Sequence, residues 1–188
     1  ALRAFLRADP DVIMVGEIRD NETATTAVES SLTGHLVLST LHTNSAPETV
    51  TRLLDMGMDP FNFADALLGV LAQRLVRRIC GNCKTSREAT GSEVDELMGD
   101  YLNAFGNVEY KPAEDDVLAS WRERFGKDGK IQHFHGTGCD KCGGGGLRGR
   151  AGVHELMAVS RDVRRLIQTG ARVDELQKAA MAEGMLTL

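Results

Sequence analysis

The sequence predicts an α/β fold built on a parallel β-sheet. Two short apolar runs, at residues 11–15 and 36–41, have the character of strands, and residues 21–33 between them have the character of a helix. Strand, helix and strand joined by short links are typical of a parallel sheet, because the helix returns the chain to the start of the next strand. The 188 residues suit one domain, or a core domain with a small appendage.

The elements of this predicted sheet follow one another closely. The first strand is a β-branched run that ends at Gly16 and Glu17. The helix has Asn21 as a candidate N-cap and Gly34 as its stop. The second strand opens with the uninterrupted apolar residues Leu36, Val37 and Leu38, which predicts burial on both of its faces.

Helices are predicted for most of the rest of the chain. We expect one helix at residues 47–56 and a longer one at 63–79, whose apolar residues recur at helical spacing. Two weaker patterns lie at 93–105 and 115–125, and two short amphipathic helices are predicted at 161–170 and 173–183. The four glycines at 143–146 predict a loop. The longer helix would carry a basic face formed by Gln73, Arg74, Arg77 and Arg78. This face either contacts a neighbouring protein surface or is simply solvated.

The charge of the chain is uneven. The net charge is −5, and residues 84–138 carry 11 acidic and 7 basic residues, a net of −4. This concentration of acidic residues predicts a solvated insert and disfavours a nucleic-acid-binding protein, including a zinc ribbon of that kind. The chain has no signal peptide and no apolar run of the roughly 18 residues that span a bilayer, so we expect a cytosolic protein.

The four cysteines form two C-x-x-C pairs, Cys80 with Cys83 and Cys139 with Cys142. Each pair brings two thiolates to one point, and two such pairs complete a tetrahedral four-sulfur site suited to Zn²⁺. Four free buried cysteines or a redox pair are the alternatives, and the pairing of all four disfavours both. The site leaves no open ligand position, so we expect a structural zinc that closes the acidic insert.

Polar side chains follow both predicted strands, Glu17 after the first and His42 after the second. Ligands of open parallel sheets bind at the carboxyl ends of the strands, so both side chains are expected at one functional edge. An acid after an apolar strand can hold Mg²⁺ or polarise the attacking water of a hydrolysis reaction. Glu17 can equally be an acid that the dipole at a helix N-terminus favours, and His42 can be a polar residue at a strand end with no catalytic role. His35 precedes the strand, about 20 Å from His42 at roughly 3.3 Å per residue.

Four blocks of the sequence resemble the secretion ATPases of type II secretion and type IV pilus systems. Residues 7–20 (RADPDVIMVGEIRD) look like the Walker B segment of that family, and residues 33–44 (TGHLVLSTLHTN) look like its histidine box. Residues 71–80 (LAQRLVRRIC) and 147–156 (LRGRAGVHEL) also match. Together the blocks cover most of residues 1–80 and 136–188, and their combination is specific.

The resemblance implies a RecA-like ATPase that works as a homo-hexamer at the cytoplasmic face of the inner membrane, with ATP and Mg²⁺ as cofactors and inner-membrane platform proteins as partners. By the same resemblance, Glu17 is the Walker B acid, and His35 and His42 are the histidine-box residues. Combined with the strand geometry, this favours His42 as a γ-phosphate sensor and His35 in a structural or inter-subunit role. Arg19 is expected to pair with the acidic loop. The four cysteines favour the secretion E proteins and pilus extension ATPases.

The sequence departs from the family pattern in two ways, and both limit what the resemblance implies. No G-x-x-x-x-G-K-[ST] loop occurs in the sequence, so the phosphate-binding loop is expected upstream and this fragment is expected to be inactive alone. Residues 91–131 match nothing assignable. We expect three segments: residues 1–79 as part of the ATPase core, 80–142 as the zinc module and 143–188 as a C-terminal helical subdomain. The alternative function is a non-catalytic, zinc-stabilised docking module for the membrane platform.

Overall fold

The computed structural model describes residues 10–105 and 111–188. Contacts divide the chain into two compact units: residues up to Gln73 with His154–Leu188 form the first, and Arg74–Val153 form the second. The C-terminal helices therefore belong to the unit that contains the N-terminal sheet. The expected division after residues 79 and 142 stays a prediction.

The described elements alternate between strands and helices through much of the chain. In chain order they are β1 (Val12–Val15), α1 (Asn21–Leu32), β2 (Leu36–Ser39), α2 (Ala46–Asp55), α3 (Pro60–Ala66), β3 (Gly69–Ile79), β4 (Lys84–Glu88), α4 (Gly91–Ala104), α5 (Glu114–Phe125), β5 (Gly126–Lys127), β6 (Lys130–Gly136), β7 (Leu147–Ala158), α6 (Arg161–Gln168) and α7 (Val173–Ala182). A 3₁₀ turn occupies Asp140–Cys142.

The first unit contains the predicted parallel pair of strands. β1 pairs with β2 in register, from Val12 opposite Leu36 to Val15 opposite Ser39, and α1 connects them. The helix begins one residue earlier than its candidate cap suggested, because the Asp20 side chain accepts a hydrogen bond from the Thr23 N–H at 2.8 Å.

One face of this sheet is exposed, so the expected burial of the second strand on both faces is wrong. Ile13 is buried and α1 packs against β2, while on the other face the described residues provide no cover. The parallel register places the exposed side chains beside one another, because residues opposite each other share a face. The exposed face consists of Val12, Met14, Leu36 and Leu38, each 44–63% exposed.

The core of the first unit lies among its helices and the end of β7. α3 packs against α1 and α6, and α2 packs against α7. Proline lies in the first turn of two of these helices, as the second residue of α2 (Pro47) and the first of α3 (Pro60), where its missing N–H has no partner within the helix. The fully buried side chains of this core include Val50, Met157, Val163, Ile167 and Leu176.

The long helix predicted at residues 63–79 does not form. Instead, α3 ends at Ala66, Leu67 has an extended backbone, and β3 begins at Gly69. The residues whose helical spacing suggested burial, Leu71 and Leu75, are 60% and 57% exposed. β3 pairs with β7, which lies about 80 residues away in the sequence, and that distant partner overrides the local helical pattern.

The second unit has its own antiparallel sheet, ordered β4-β6-β5. The two weakly predicted helices are confirmed as α4 and α5, and α5 packs against β6. Tyr101 of α4 makes an edge contact with Trp121 of α5 at 5.4 Å between ring centroids. Apart from cysteines, the buried apolar residues in the described part of this unit are Met98 and Val117. The second unit therefore has a small apolar core.

Candidate functional site

The carboxyl ends of β1 and β2 bring Glu17 and His42 together, as predicted. The backbone beyond the strands stays aligned, because Ile18 donates a hydrogen bond to the Thr40 carbonyl at 3.0 Å. The Glu17 Oε1 and His42 Nε2 atoms lie 3.2 Å apart. An acid and an imidazole 25 residues apart in sequence therefore share one edge of the sheet.

Glu17 is also paired with Arg19, which confirms the expected ion pair. The Arg19 Nε donates to Glu17 Oε2 at 2.7 Å. This hydrogen bond and the neighbouring positive charge hold the pKa of the Glu17 carboxyl below its usual value. The carboxylate is thus ionised at neutral pH, and its side chain is 22% exposed, against 88% for His42. Such a carboxylate can orient a water molecule or a hydrated cation.

His35 lies at the other end of β2, away from Glu17 and His42. Its Nδ1 atom is 2.9 Å from the Ser30 carbonyl and 3.2 Å from the Thr33 hydroxyl, so its ring contacts the C-terminal end of α1. The structure therefore does not bring the two histidines of this segment to one point. The functional role of His35 stays a prediction.

The second cluster consists of the four cysteines, and two strand pairings assemble it. Cys83 immediately precedes β4, which pairs with β6, and the Thr137 N–H donates to the Cys83 carbonyl at 3.1 Å. Cys80 immediately follows β3, and its N–H donates to the Gly146 carbonyl at 2.9 Å. These pairings bring residues about 60 positions apart into contact.

The sulfur spacing fits a tetrahedral metal ion. All four Sγ atoms lie within 4.8 Å of one another, and the pairs Cys80–Cys139, Cys83–Cys142 and Cys139–Cys142 are 3.7–3.9 Å apart. A Zn–S bond of about 2.3 Å in tetrahedral geometry gives an S···S separation of about 3.8 Å, whereas a disulfide needs about 2.05 Å. The cysteines are free, and this donor set suits Zn²⁺.

The thiols of this cluster differ in acidity. The Cys139 backbone N–H donates to the Cys142 sulfur at 3.2 Å and lowers the pKa of that thiol to about 6. Burial raises the pKa of Cys83 to about 11. Because a metal binds thiolates, occupation of the site would displace the proton of Cys83.

Close glycine contacts beside the cysteines were missed by the sequence prediction. A Cβ atom at Gly136 would overlap the carbonyl group of Gly146, and one at Gly146 would overlap that of Gly136. A Cβ atom at Gly138 would also overlap the carbonyl group of Gly144, whereas one at Gly144 would meet open space. The only sequence signal was the abundance of glycine around the second C-x-x-C pair, and it did not reveal which glycines meet.

A model of the family described as "Type II/IV secretion system protein" matches residues 1–188. The type IV pilus assembly ATPase PilB of Thermus thermophilus is 45% identical over 192 residues, covering 100% of this chain and 18% of that protein. The type II secretion system ATPase E of Vibrio cholerae is 47% identical over 177 residues, covering 94% of this chain and 30% of that protein. The chain thus spans less than a third of the length of these relatives.

Solved structures show a similar fold. The pilus retraction motor PilT with bound ADP matches with a TM-score of 0.53 and 26% identity, over 97% of this chain and 34% of that chain. The ATPase DotB of Legionella pneumophila matches with a TM-score of 0.50 and 22% identity, over 97% and 32%. Within the described residues, no helix is both long enough and apolar enough to span a bilayer.

Proposed function

Since this chain belongs to the Type II/IV secretion system protein family, we propose that it is the C-terminal part of a motor's ATPase domain. The motor couples ATP hydrolysis to type II protein secretion or type IV pilus assembly, as the names of the relatives suggest. In this proposal β1, α1 and β2 are part of a RecA-like core. The rest of that core, including the phosphate-binding loop, belongs to the upstream part of the protein.

One observation carries the proposal: Glu17 and His42 meet at the carboxyl ends of two parallel strands. Parallel α/β sheets bind their ligands at this edge. Glu17, ionised and held by Arg19, acts as the Walker B acid that positions the attacking water or a water of the cation. His42 is largely exposed beside it and contacts the γ-phosphate, so that it reports whether ATP is present.

Mg²⁺ supplies charge neutralisation of the phosphates when ATP is bound, as in other phosphoryl-transfer enzymes. This chain contributes to that arrangement through Glu17, whose second oxygen faces His42. The zinc site has a different role. Its four thiolate ligands leave no position for a water molecule, so it stabilises the second unit and takes no part in hydrolysis.

The proposed motor is a homo-hexamer at the cytoplasmic face of the inner membrane, bound to the platform proteins of its machine. His35, held at the end of α1, acts in assembly or in coupling between subunits. The isolated chain lacks the lysine and backbone N–H groups of a phosphate-binding loop, so it neither binds ATP tightly nor hydrolyses it.

Replacement of Glu17 by glutamine in the full-length protein tests the proposal. The change keeps the shape of the side chain but removes its charge, so turnover is expected to fall by roughly a hundredfold or more while nucleotide binding persists. Phosphate release and nucleotide affinity are the two measurements. Glu22→Gln, which neutralises an exposed acid in the first turn of α1, is the matched control and should leave both unchanged. Equal turnover in the two variants contradicts the role of Glu17.

A second candidate function is docking to the membrane platform without catalysis. The observation in its favour is a row of exposed arginines on the paired strands β3 and β7, with no ion pair among the described residues for Arg77, Arg78, Arg148 and Arg150. Binding of the purified chain to cytoplasmic domains of platform proteins distinguishes the functions. Binding lost in Arg77→Glu and kept in Arg161→Glu, together with full turnover in Glu17→Gln, favours docking over catalysis.

A further inference from the structure

Glu155 is the only charged residue that the described part of the chain buries. It lies on β7 and is 3% exposed, and the other buried polar residues are the neutral Thr26, Ser30 and Thr49. No cation pairs with its carboxylate among the described residues. Burying an unpaired carboxylate costs solvation free energy, so the hydrogen bonds that it accepts must offset part of that cost.

Both oxygens of this carboxylate accept hydrogen bonds from backbone N–H groups. Oε1 accepts from Ala46 at 2.6 Å, and Oε2 accepts from Leu188 at 3.2 Å. Ala46 is the first residue of α2, where the N–H groups have no partner within the helix and the helix dipole favours a negative charge. Glu155 therefore fixes the start of α2 to a strand 109 residues away in the sequence.

The start of α2 directly follows the loop that carries His42. Local contacts tie this loop to the helix: Asn44 N–H donates to the Glu48 carboxylate at 3.0 Å, and the Thr43 and Thr49 hydroxyls are 2.7 Å apart. These contacts make the loop and the first turn of α2 one piece. They do not determine where that piece lies relative to the rest of the first unit.

The hydrogen bond from Ala46 to Glu155 adds a constraint at the start of α2, beyond the packing of that helix against α7. We propose that Glu155 is a positioning residue: by holding the N-terminus of α2 it sets the position of the loop that presents His42 to Glu17. An apolar residue would fill the same buried space without the solvation cost, but it could not accept the Ala46 N–H. The catalytic consequence rests on the proposed function, whereas the effect on the position of His42 does not.

Glu155→Gln tests this inference with almost no change in side-chain volume. An amide has one accepting oxygen, so it cannot accept from both N–H groups, and its NH₂ group would face one of the two donors. Ala46→Pro removes the same hydrogen bond from the other side. Proline is accepted in the first turn of a helix, and the extended backbone of Ser45 (φ −147°, ψ 167°) suits a residue before proline.

The matched control is Glu175→Gln. Glu175 also accepts a backbone N–H at the start of a helix, from Arg172 at 2.8 Å, but that helix is α7. The readout is the ¹H–¹³C spectrum of the histidine rings of this chain, with the His42 signals assigned through His42→Gln. Glu155→Gln and Ala46→Pro are expected to shift or broaden the His42 signals and leave those of His133 and His135 unchanged. Glu175→Gln should leave all three unchanged.

Unchanged His42 signals in both Glu155→Gln and Ala46→Pro overturn the inference, whatever the effect of either change on stability. In the full-length protein, Glu155→Gln is expected to lower kcat for ATP roughly 10- to 100-fold with little change in KM, because a displaced catalytic group loses rate more than binding. If the parent protein hydrolyses no ATP, the proposed function fails. The ring spectra of the chain still decide the role of Glu155.

Discussion

At the scale of single residues, the ionised state of Glu17 depends on its neighbours. Arg19 donates to one carboxylate oxygen and His42 faces the other, so each oxygen has a separate partner. A carboxylate whose pKa is lowered in this way keeps its charge in mildly acidic solution. His35 takes no part in this group, because its ring bonds to the end of α1.

The two histidines of this segment are therefore expected to differ when each is replaced by alanine in the full-length protein. His42→Ala should lower ATP turnover, because in the proposed function it removes the group beside Glu17 that contacts the γ-phosphate. His35→Ala should act mainly on the assembly of the proposed hexamer or on coupling between its subunits. Hydrolysis rate, nucleotide affinity and hexamer content are measured for both variants beside Glu17→Gln. If His35→Ala matches Glu17→Gln in hydrolysis with affinity and assembly intact, His35 belongs to the catalytic site.

At the scale of elements, two strand pairings end at the cysteine cluster. The first C-x-x-C pair links the end of β3 to the start of β4, and the second lies between the end of β6 and the start of β7. Because β3 pairs with β7 and β4 with β6, the two links come together. The chain turns tightly there, and Gly138 and Gly143 have positive φ angles of 92° and 62°, which side chains other than glycine rarely adopt. The cluster therefore depends on backbone contacts as well as on sulfur.

The contact between Gly136 and Gly146 gives a prediction for this region. Gly136→Ala would drive a methyl group into the Gly146 carbonyl, so we expect a loss of roughly 1–3 kcal/mol in the stability of the second unit and weaker zinc retention. Thermal unfolding and zinc content are the measurements. Gly99→Ala is the control, because Gly99 lies in α4 with open space around it and should gain up to about 1 kcal/mol. Equal stability in the two variants would show that the backbone can relax.

At the scale of the whole molecule, the two units are stabilised differently. The first has a core to which helices, β7 and the sheet all contribute. The second has few buried apolar side chains in its described part, which include Met98 and Val117, and its two C-x-x-C pairs lie close together. A small unit of this kind usually needs a metal or disulfides, because its apolar burial cannot offset the loss of chain entropy.

We accordingly expect about one zinc per chain after purification without chelators, measured by elemental analysis. Cys139→Ser should lose the metal and the hydrogen-exchange protection of β4 and β6, while the amides of α2 and α7 keep theirs. The control is Asp140→Asn, which lies between Cys139 and Cys142 but removes no sulfur. It should keep both the metal and the hydrogen-exchange protection. A metal-free protein with a fully protected second unit would contradict the structural role of zinc.

The exposed face of the β1–β2 sheet gives a further prediction at this scale. Met14→Lys should change the stability of this chain by no more than about 0.5 kcal/mol, since Met14 is 63% exposed, whereas Ile13→Lys should unfold it. If the rest of the proposed RecA-like core covers this face, Met14→Lys becomes strongly destabilising in the full-length protein. The test measures the thermal unfolding midpoints of both variants in this chain and in the full-length protein. An unchanged midpoint for Met14→Lys in the full-length protein would mean that this face stays exposed to solvent there.

The sequence by itself determined the elements and groups whose signals are local. The β1-α1-β2 unit, the helices α4 to α7 and the two C-x-x-C pairs all follow from residues close together in the chain, because periodicity, caps and ligand spacing are properties of short segments. The meeting of Glu17 and His42 was also predictable, since parallel strands end at the same edge.

Only the tertiary structure decided the features that depend on distant partners. Residues 69–79 follow a helical pattern but form a strand, because β7 supplies hydrogen bonds that no local signal announces. The facing of Gly136 and Gly146 and the burial of Glu155 under the start of α2 have the same origin. In each case the deciding contact joins residues far apart in the sequence, and its energy exceeds the local preference of the segment.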